Sequence, residues 1–263
     1  MFEREIRVRT RDGVMTTFVV HPAGDGSFPV ALLFMDGVGY REQLKENGRK
    51  FAGEGYYCVI PDLFYRSGEL LTFDVTRLAA AGFIGPEADR LTHAVAAASP
   101  ENVVADTKAI LATIASDSAA SPGTKVCVGY CMGARLGLHM LFALPDQLVA
   151  AAAIHPGALI TEDADSPHHD LDGIRGELYV AFAETDRSVT AEHVEQFREA
   201  MRRNGVRGVV ERLPGTSHGF AMADLPAYNH DATERHFART LELWGRSLAQ
   251  AQVGAWSRCS MDD

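Results

Sequence analysis

Cys131, Asp186 and His218 are the residues in this sequence whose types, order and surroundings would support covalent catalysis. Cys131 lies in KVCVGYCMGARLGL, residues 125–138, with Gly129 two positions before it and Gly133 two positions after. That is the G-x-nucleophile-x-G spacing of a tight strand-to-helix elbow, which lifts a side chain above the end of a sheet. Apolar and β-branched residues precede Gly129 and helix-compatible residues follow Gly133, so the stretch reads as a buried strand turning into a helix. The glycines let strand and helix approach closely. Taken alone, a glycine-flanked cysteine is equally a small buried thiol. A nucleophilic thiol also needs a base to take its proton and a third group to fix the tautomer of that base. Asp186, in AETDRSV, and His218, in GTSHGF, each follow an apolar strand-like run, in the chain order expected of such an elbow. An oxyanion would need two N–H donors. Met132, next after the thiol, supplies one, and the loop after VALLFM supplies the other, with Gly37 the first choice and Val38 the second.

Positioning these residues takes a sheet. Residues 4–20 alternate as two short strands joined at Asp12-Gly13, a hairpin signal. Val30–Met35 is uniformly apolar, as for a strand buried on both faces; a helix follows over residues 41–54, and YYCVIPDLF is the next strand. Helical segments at 101–116, 136–144, 191–204 and 229–249 then alternate with strands at the elbow, at 149–154, at ELYVAFAETD and at VRGVVERLPG. Strands separated by helices imply parallel pairing with helices on both faces, so the expected fold is α/β, an α/β-hydrolase arranged as one domain over residues 1–263. Two stretches depart from this rhythm. Residues 65–100, rich in Ala and Gly, read either as a partial cover over the strand ends or as a surface excursion with one helix. Residues 161–170, TEDADSPHHD, read as a solvated acidic loop, because the neighbours His168 and His169 are poorly spaced to ligate one ion together. Residues 250–263 read as a flexible tail.

Composition narrows the class further. The chain has 263 residues, 46% of them hydrophobic, which suffices for a large core. A formal charge of −10 without a basic run argues against nucleic-acid or anionic-membrane surfaces. The charged start MFEREIRVRTRDG has no apolar signal region, and no stretch approaches the roughly 18 apolar residues of a membrane span. A soluble cytoplasmic protein is expected. Cys58, Cys127, Cys131 and Cys259 form no C-x-x-C pair, so free thiols are expected and no metal site.

Together VGYCMGARLG, PDLFYRSG, the Asp of ETDRSV and PGTSHGF resemble the dienelactone hydrolase family, over about residues 28–248. The resemblance implies a Cys-His-Asp triad carried by Cys131, His218 and Asp186 that opens an enol-lactone without metal or cofactor. It also implies an acidic residue after the third strand near the thiol, usually glutamate, and Asp36 stands there. A carboxylate so placed would disfavour a thiolate. Arginines gripping a substrate carboxylate are a further family feature, but no motif singles one out. Arg41, Arg66, Arg135 and Arg187 all fall near strand ends, with surface ion pairing as the alternative for each. Arg135 and Tyr130, close to the thiol in sequence, are candidates for substrate binding, and packing under the elbow is the other reading of Tyr130. His155, in AAIHPGAL, could face the pocket or support it by hydrogen bonding.

The expectation is a hydrolase of a small ester or lactone, working through an acyl-thioester, with a small molecule as partner and either a monomeric or homodimeric state. A thioesterase or acyltransferase with the same residues is a rival, as is a non-catalytic or redox-sensing relative of the fold.

Overall fold

An unbroken run of apolar residues in a strand demands burial on both faces, and Val30–Phe34 (β3) is buried at all five positions. The computed structural model describes residues 1–162, 166–169 and 171–259, with side chains as far as residue 253. An N-terminal hairpin, β1 (Phe2–Arg9) and β2 (Val14–His21), turns at Gly13 and precedes β3. Helix α1 (Glu42–Gly53), β4 (Tyr57–Pro61), α2 (Val75–Ala80), α3 (Pro86–Ala97) and α4 (Pro100–Ile114) follow. The second half runs β5 (Lys125–Tyr130), α5 (Met132–Ala143), β6 (Leu148–Ile154), β7 (Glu177–Thr185), α6 (Ala191–Arg203), β8 (Arg207–Ser217) and α7 (His230–Cys259).

The eight strands form one sheet in the order β1-β2-β4-β3-β5-β6-β7-β8. β1/β2 and β2/β4 pair antiparallel, and every other neighbouring pair is parallel. β4 and β5 flank β3 on opposite sides, so right-handed crossovers send α1 to one face and α4 and α5 to the other. α1 and α7 meet on the first face, where the Phe51 ring lies 4.6 Å from Phe237 and 4.7 Å from Trp244. The indole N–H of Trp244 donates to the Cys127 carbonyl at 3.2 Å, tying α7 to β5. Losing a buried aromatic of this kind costs about 3–5 kcal/mol. The reversal of strand order falls between β3 and β5, and at such a switch point the loops past the carboxyl ends part to leave a crevice. The loop carrying Gly37 and the elbow carrying Cys131 border that crevice.

Residues 65–100 contain two helices, α2 and α3, rather than one. Their entry is tied to the loop after β3: Gly39 pairs antiparallel with Thr72, and the Phe73 N–H donates to the Val38 carbonyl at 2.8 Å. Only glycine fits at position 39, where φ is +106° and a Cβ would stand 2.3 Å from the Leu71 carbonyl oxygen. The middle of the segment reaches the loop after β7, with the Arg187 guanidinium 5.4 Å from the Phe83 ring centroid.

α7 continues to Cys259 instead of ending near Ala249, because Ala251, Gln252 and Ala255 favour helix and no proline interrupts them. Within 161–170, Pro167–His169 forms a 3-10 turn in which Ser166 Oγ and His168 Nδ1 are hydrogen-bonded at 2.8 Å, while residues 163–165 and 170 lie outside the described residues. No helix among the described residues is long and apolar enough to cross a membrane.

Candidate active site

β5 ends at Tyr130, α5 begins at Met132, and Cys131 between them has φ +55° and ψ −114°. A non-glycine residue in that region costs of order 1–3 kcal/mol and persists only where its surroundings hold it. Here the Cys131 N–H donates to the Ile154 carbonyl at 3.0 Å, and its own carbonyl accepts from Ala134 N–H at 3.1 Å. The flanking glycines are required by contact. A Cβ on Gly129 would stand 1.9 Å from the Gly133 carbonyl oxygen, and one on Gly133 would stand 2.4 Å from that of Phe34. Cys131 is half-buried, whereas Cys58 and Cys127 are fully buried and their thiols pushed up by that burial, which leaves them inert.

His218 follows β8, with its backbone N–H bonded to the Thr185 carbonyl at the end of β7. Its Nδ1 lies 2.5 Å from Asp186 Oδ2. The other Asp186 oxygen accepts from the Ser188 N–H at 2.8 Å and its hydroxyl at 2.9 Å, so the carboxylate cannot swing away. Burial would raise the Asp186 carboxyl, but the bonds from His218 and Ser188 outweigh it and hold it below the usual carboxylate range. Burial likewise works against a charged imidazole, yet the neighbouring Cys131 and the Asp186 carboxylate override it and push His218 up to about 11. Cys131 acts on the imidazole through its charge first and through a sulfur–imidazole hydrogen bond second.

The loop after β3 is held from within. Asp36 is buried, its Oδ1 accepting from the Val38 N–H at 3.1 Å and from Arg41 Nη1 at 2.7 Å, with Arg41 Nη2 on Oδ2 at 3.0 Å. Arg41 also reaches Asp224 through Nε at 2.6 Å and bonds the Gly39 carbonyl at 3.2 Å. The Asp36 charge is therefore met by a guanidinium. The Val38 N–H is already committed to Asp36. Met132 is the first residue of α5, where helix N–H groups have no intrahelical acceptor.

The other singled-out residues divide. Arg66 binds Asp12 and the buried Asp106, bracing the start of the 65–100 segment. Arg187 stacks on Phe83, and Arg135 stands half-buried on the first turn of α5. Tyr130 is fully buried beneath the elbow, as the packing reading expects. His155 is buried beside His218, ring centroids 5.2 Å apart. Asp224, Ser188 and His236 were not signalled. Only His236 carried a usable pattern, since Thr233, His236, Thr240 and Ser247 place polar groups on the same buried helix face as Phe237 and Trp244. An open groove of about 710 Å³ lined by Arg198, Glu211 and Arg235 contains none of these candidate residues.

Residues 15–248 match the dienelactone hydrolase family. The chain belongs to that family. A Salmonella typhi protein named "Putative carboxymethylenebutenolidase" is 26% identical to it over 238 residues, spanning 88% of this chain and 83% of the relative. A Methylorubrum extorquens protein of the same name is 23% identical over 251 residues, spanning 94% and 81%. The crystal structure of a "Putative Dienelactone Hydrolase" from Klebsiella pneumoniae superposes with a TM-score of 0.80 at 19% identity, covering 93% of this chain and 98% of that one. A dienelactone hydrolase-like promiscuous phosphotriesterase from metagenomic libraries superposes at 0.73 and 18% identity, covering 94% and 98%. At such identities the superpositions speak for the fold, and membership makes this dienelactone hydrolase family protein a hydrolase of that type.

Proposed function

We propose that this chain hydrolyses a small ester or lactone through a covalent acyl-thioester on Cys131, with His218 as base and Asp186 as the group that orients it. The observation that carries the reading is the strained elbow of Cys131 set beside an imidazole whose far nitrogen is 2.5 Å from Asp186. The Cys131 thiolate adds to the substrate carbonyl, and the oxyanion is held by the N–H groups of Met132 and Gly37. His218 gives its proton to the leaving oxygen as the carbon–oxygen bond breaks, then takes one from the water that splits the thioester. Apo sulfur–imidazole contacts commonly tighten only when substrate arrives. Residues 65–100, touching the loops after β3 and β7, roof the crevice in this scheme.

Sulfur restricts the substrate class. From a tetrahedral intermediate, a thiolate with an ordinary pKa of about 8.5 departs far more readily than an alkoxide, so alkyl esters mostly revert. Enol-lactones and aryl esters release an enolate or phenolate that competes as leaving group. The name carried by the Salmonella relative also points to a lactone. Protein mixed with p-nitrophenyl acetate and quenched in acid should carry an acetyl group on Cys131 by mass spectrometry, and enol-lactones should turn over where ethyl acetate does not. Wild-type turnover by Cys131→Ala, or efficient hydrolysis of ethyl acetate, overturns the proposal.

A further inference from the structure

Directly behind the His218 ring sits a set of buried polar groups with no role in the scheme above. His155 follows β6 in a left-handed backbone conformation, φ +37°, anchored by its N–H on the Ala181 carbonyl at 2.8 Å. For a residue other than glycine that conformation is uncommon, and such residues cluster where a side chain has to be aimed. Its ring stands edge-to-face with His218, centroids 5.2 Å apart at 64°, and with Phe220 at 5.3 Å. Neither His155 nitrogen has a hydrogen-bond partner among the described residues. The same holds for both ring nitrogens of His236 and for the Tyr130 hydroxyl, which lies near Asn47. The Tyr130 ring is 5.9 Å from that of His155 and 5.8 Å from that of His236, so five unsatisfied polar atoms surround one small region. Leaving a buried donor or acceptor unmet costs about 1–3 kcal/mol each. Burial of several such atoms together is the setting in which proteins hold ordered internal water, typically with two to four polar partners.

We propose that His155 is a positioning residue for His218: internal water shared with Tyr130 and His236 anchors its ring nitrogens, and its ring in turn fixes the plane in which His218 faces Cys131. The proposal rests on the reading of His218 as the base. His218 cannot be fixed by Asp186 alone, because one hydrogen bond at Nδ1 leaves the ring free to tilt about it, and a second ring packed edge-to-face against it restricts that tilt. A neighbour in this place must also stay uncharged beside a protonated His218. The charged and titratable groups facing His155 are His218, His236 on α7, Arg41 at the start of α1 and Tyr130 on β5. Burial, followed by the first three of these, pushes His155 well below its ordinary value, and burial pushes His236 down to about 3.

The test compares wild type with His155→Phe, which keeps a ring and removes its nitrogens, and His155→Gln, which keeps hydrogen-bonding atoms and removes the ring. The readouts are kcat and KM on p-nitrophenyl acetate across pH and the His218 imidazole titration by NMR. His155→Phe should lower kcat by about tenfold to a hundredfold with KM little changed, as misplacement of a reacting group does, and should displace the His218 titration. His155→Gln, which keeps hydrogen-bonding atoms but lacks the ring that packs on His218, should lose at least as much, and wild-type kcat in it would overturn the proposal. Wild-type kcat and an unmoved titration in His155→Phe overturn the proposal. Should that variant not fold, a high-resolution crystal structure of the wild type decides: water bonded to a His155 nitrogen and to Tyr130 or His236 supports it, and a dry site overturns it. Cys131→Ala run alongside separates the two ideas. If it turns over substrate the reading of the site fails, and if it is inactive while His155→Phe is unaffected only the role of His155 fails.

Discussion

Gly133 lies against the backbone of Phe34 so closely that a Cβ there would stand 2.4 Å from the Phe34 carbonyl oxygen. The helix that begins at Met132 is thereby pressed onto the end of β3, and the N–H of Met132 is brought to the side of the crevice that Gly37 borders. Backbone oxygens cannot yield as a flexible side chain can. Gly133→Ala should therefore cost about 3 kcal/mol, the upper end of overpacking penalties, and activity should fall even in the folded fraction. A thermal melt and a specific activity matching wild type would show that the elbow tolerates the methyl group.

If Cys131, His218 and Asp186 act as a unit, their losses will not add. Cys131→Ala and His218→Ala should each lower kcat on the order of 10³-fold or more, and the double variant should be hardly worse than either. Asp186→Asn should lose less, because Ser188 still holds the side chain. Multiplicative losses in the double variant would show two independent contributions.

His218 should remain protonated well above the ordinary histidine range, because Cys131 and Asp186 hold it up against burial. A group whose folded pKa is raised stabilises the fold fully below its unfolded value. For His218 that contribution is complete below about 6.5 and is lost as pH rises toward about 11. Cys131→Ala removes the leading favourable cause, so its imidazole should titrate lower and its stability should depend less on pH across that window. NMR titration together with urea melts at several pH values measures both. An identical imidazole titration in the two proteins would place Cys131 too far away to matter.

Asp36→Asn keeps an acceptor for the Val38 N–H and removes the charge that meets Arg41. Hydrogen bonds to charged groups are worth about 1.5–3 kcal/mol, and Arg41 retains Asp224, so a loss in that range is expected. The loosened loop carries Gly37, so kcat should fall more than KM rises. Faster alkylation of Cys131 with unchanged kcat would instead assign Asp36 to the thiol.

The parts of this architecture that repeat with a period were legible in the sequence. β3, β5 and β7 announced themselves as apolar runs, and the elbow was set by two glycines whose contacts prove to be with backbone. The candidate catalytic residues were legible because strand ends fix where they must stand. What joins distant residues was not. Arg41 and Asp224 are separated by 183 positions, and nothing in REQLKENG or AMADLP marks them as partners. The grouping of Tyr130, His155 and His236 likewise exists only after β5, β6 and α7 have been packed together. Residues 65–100 divide at Gly82–Gly85, where both glycines have positive φ and Pro86 opens α3, a local break masked by the Ala-rich composition on either side.

The pairing of Gly39 with Thr72 has a consequence for how this enzyme could be remodelled. Exchange of the 65–100 segment with that of a relative would test whether it sets substrate preference. Its first residues, however, share backbone hydrogen bonds with the loop that bears Gly37. Under the proposed roles, the cover and the loop that would hold the oxyanion are inherited as one cassette. A chimera joined downstream of Phe73 keeps the fitting intact, while one joined upstream imports a foreign edge against Gly39 and has to import a matching loop with it.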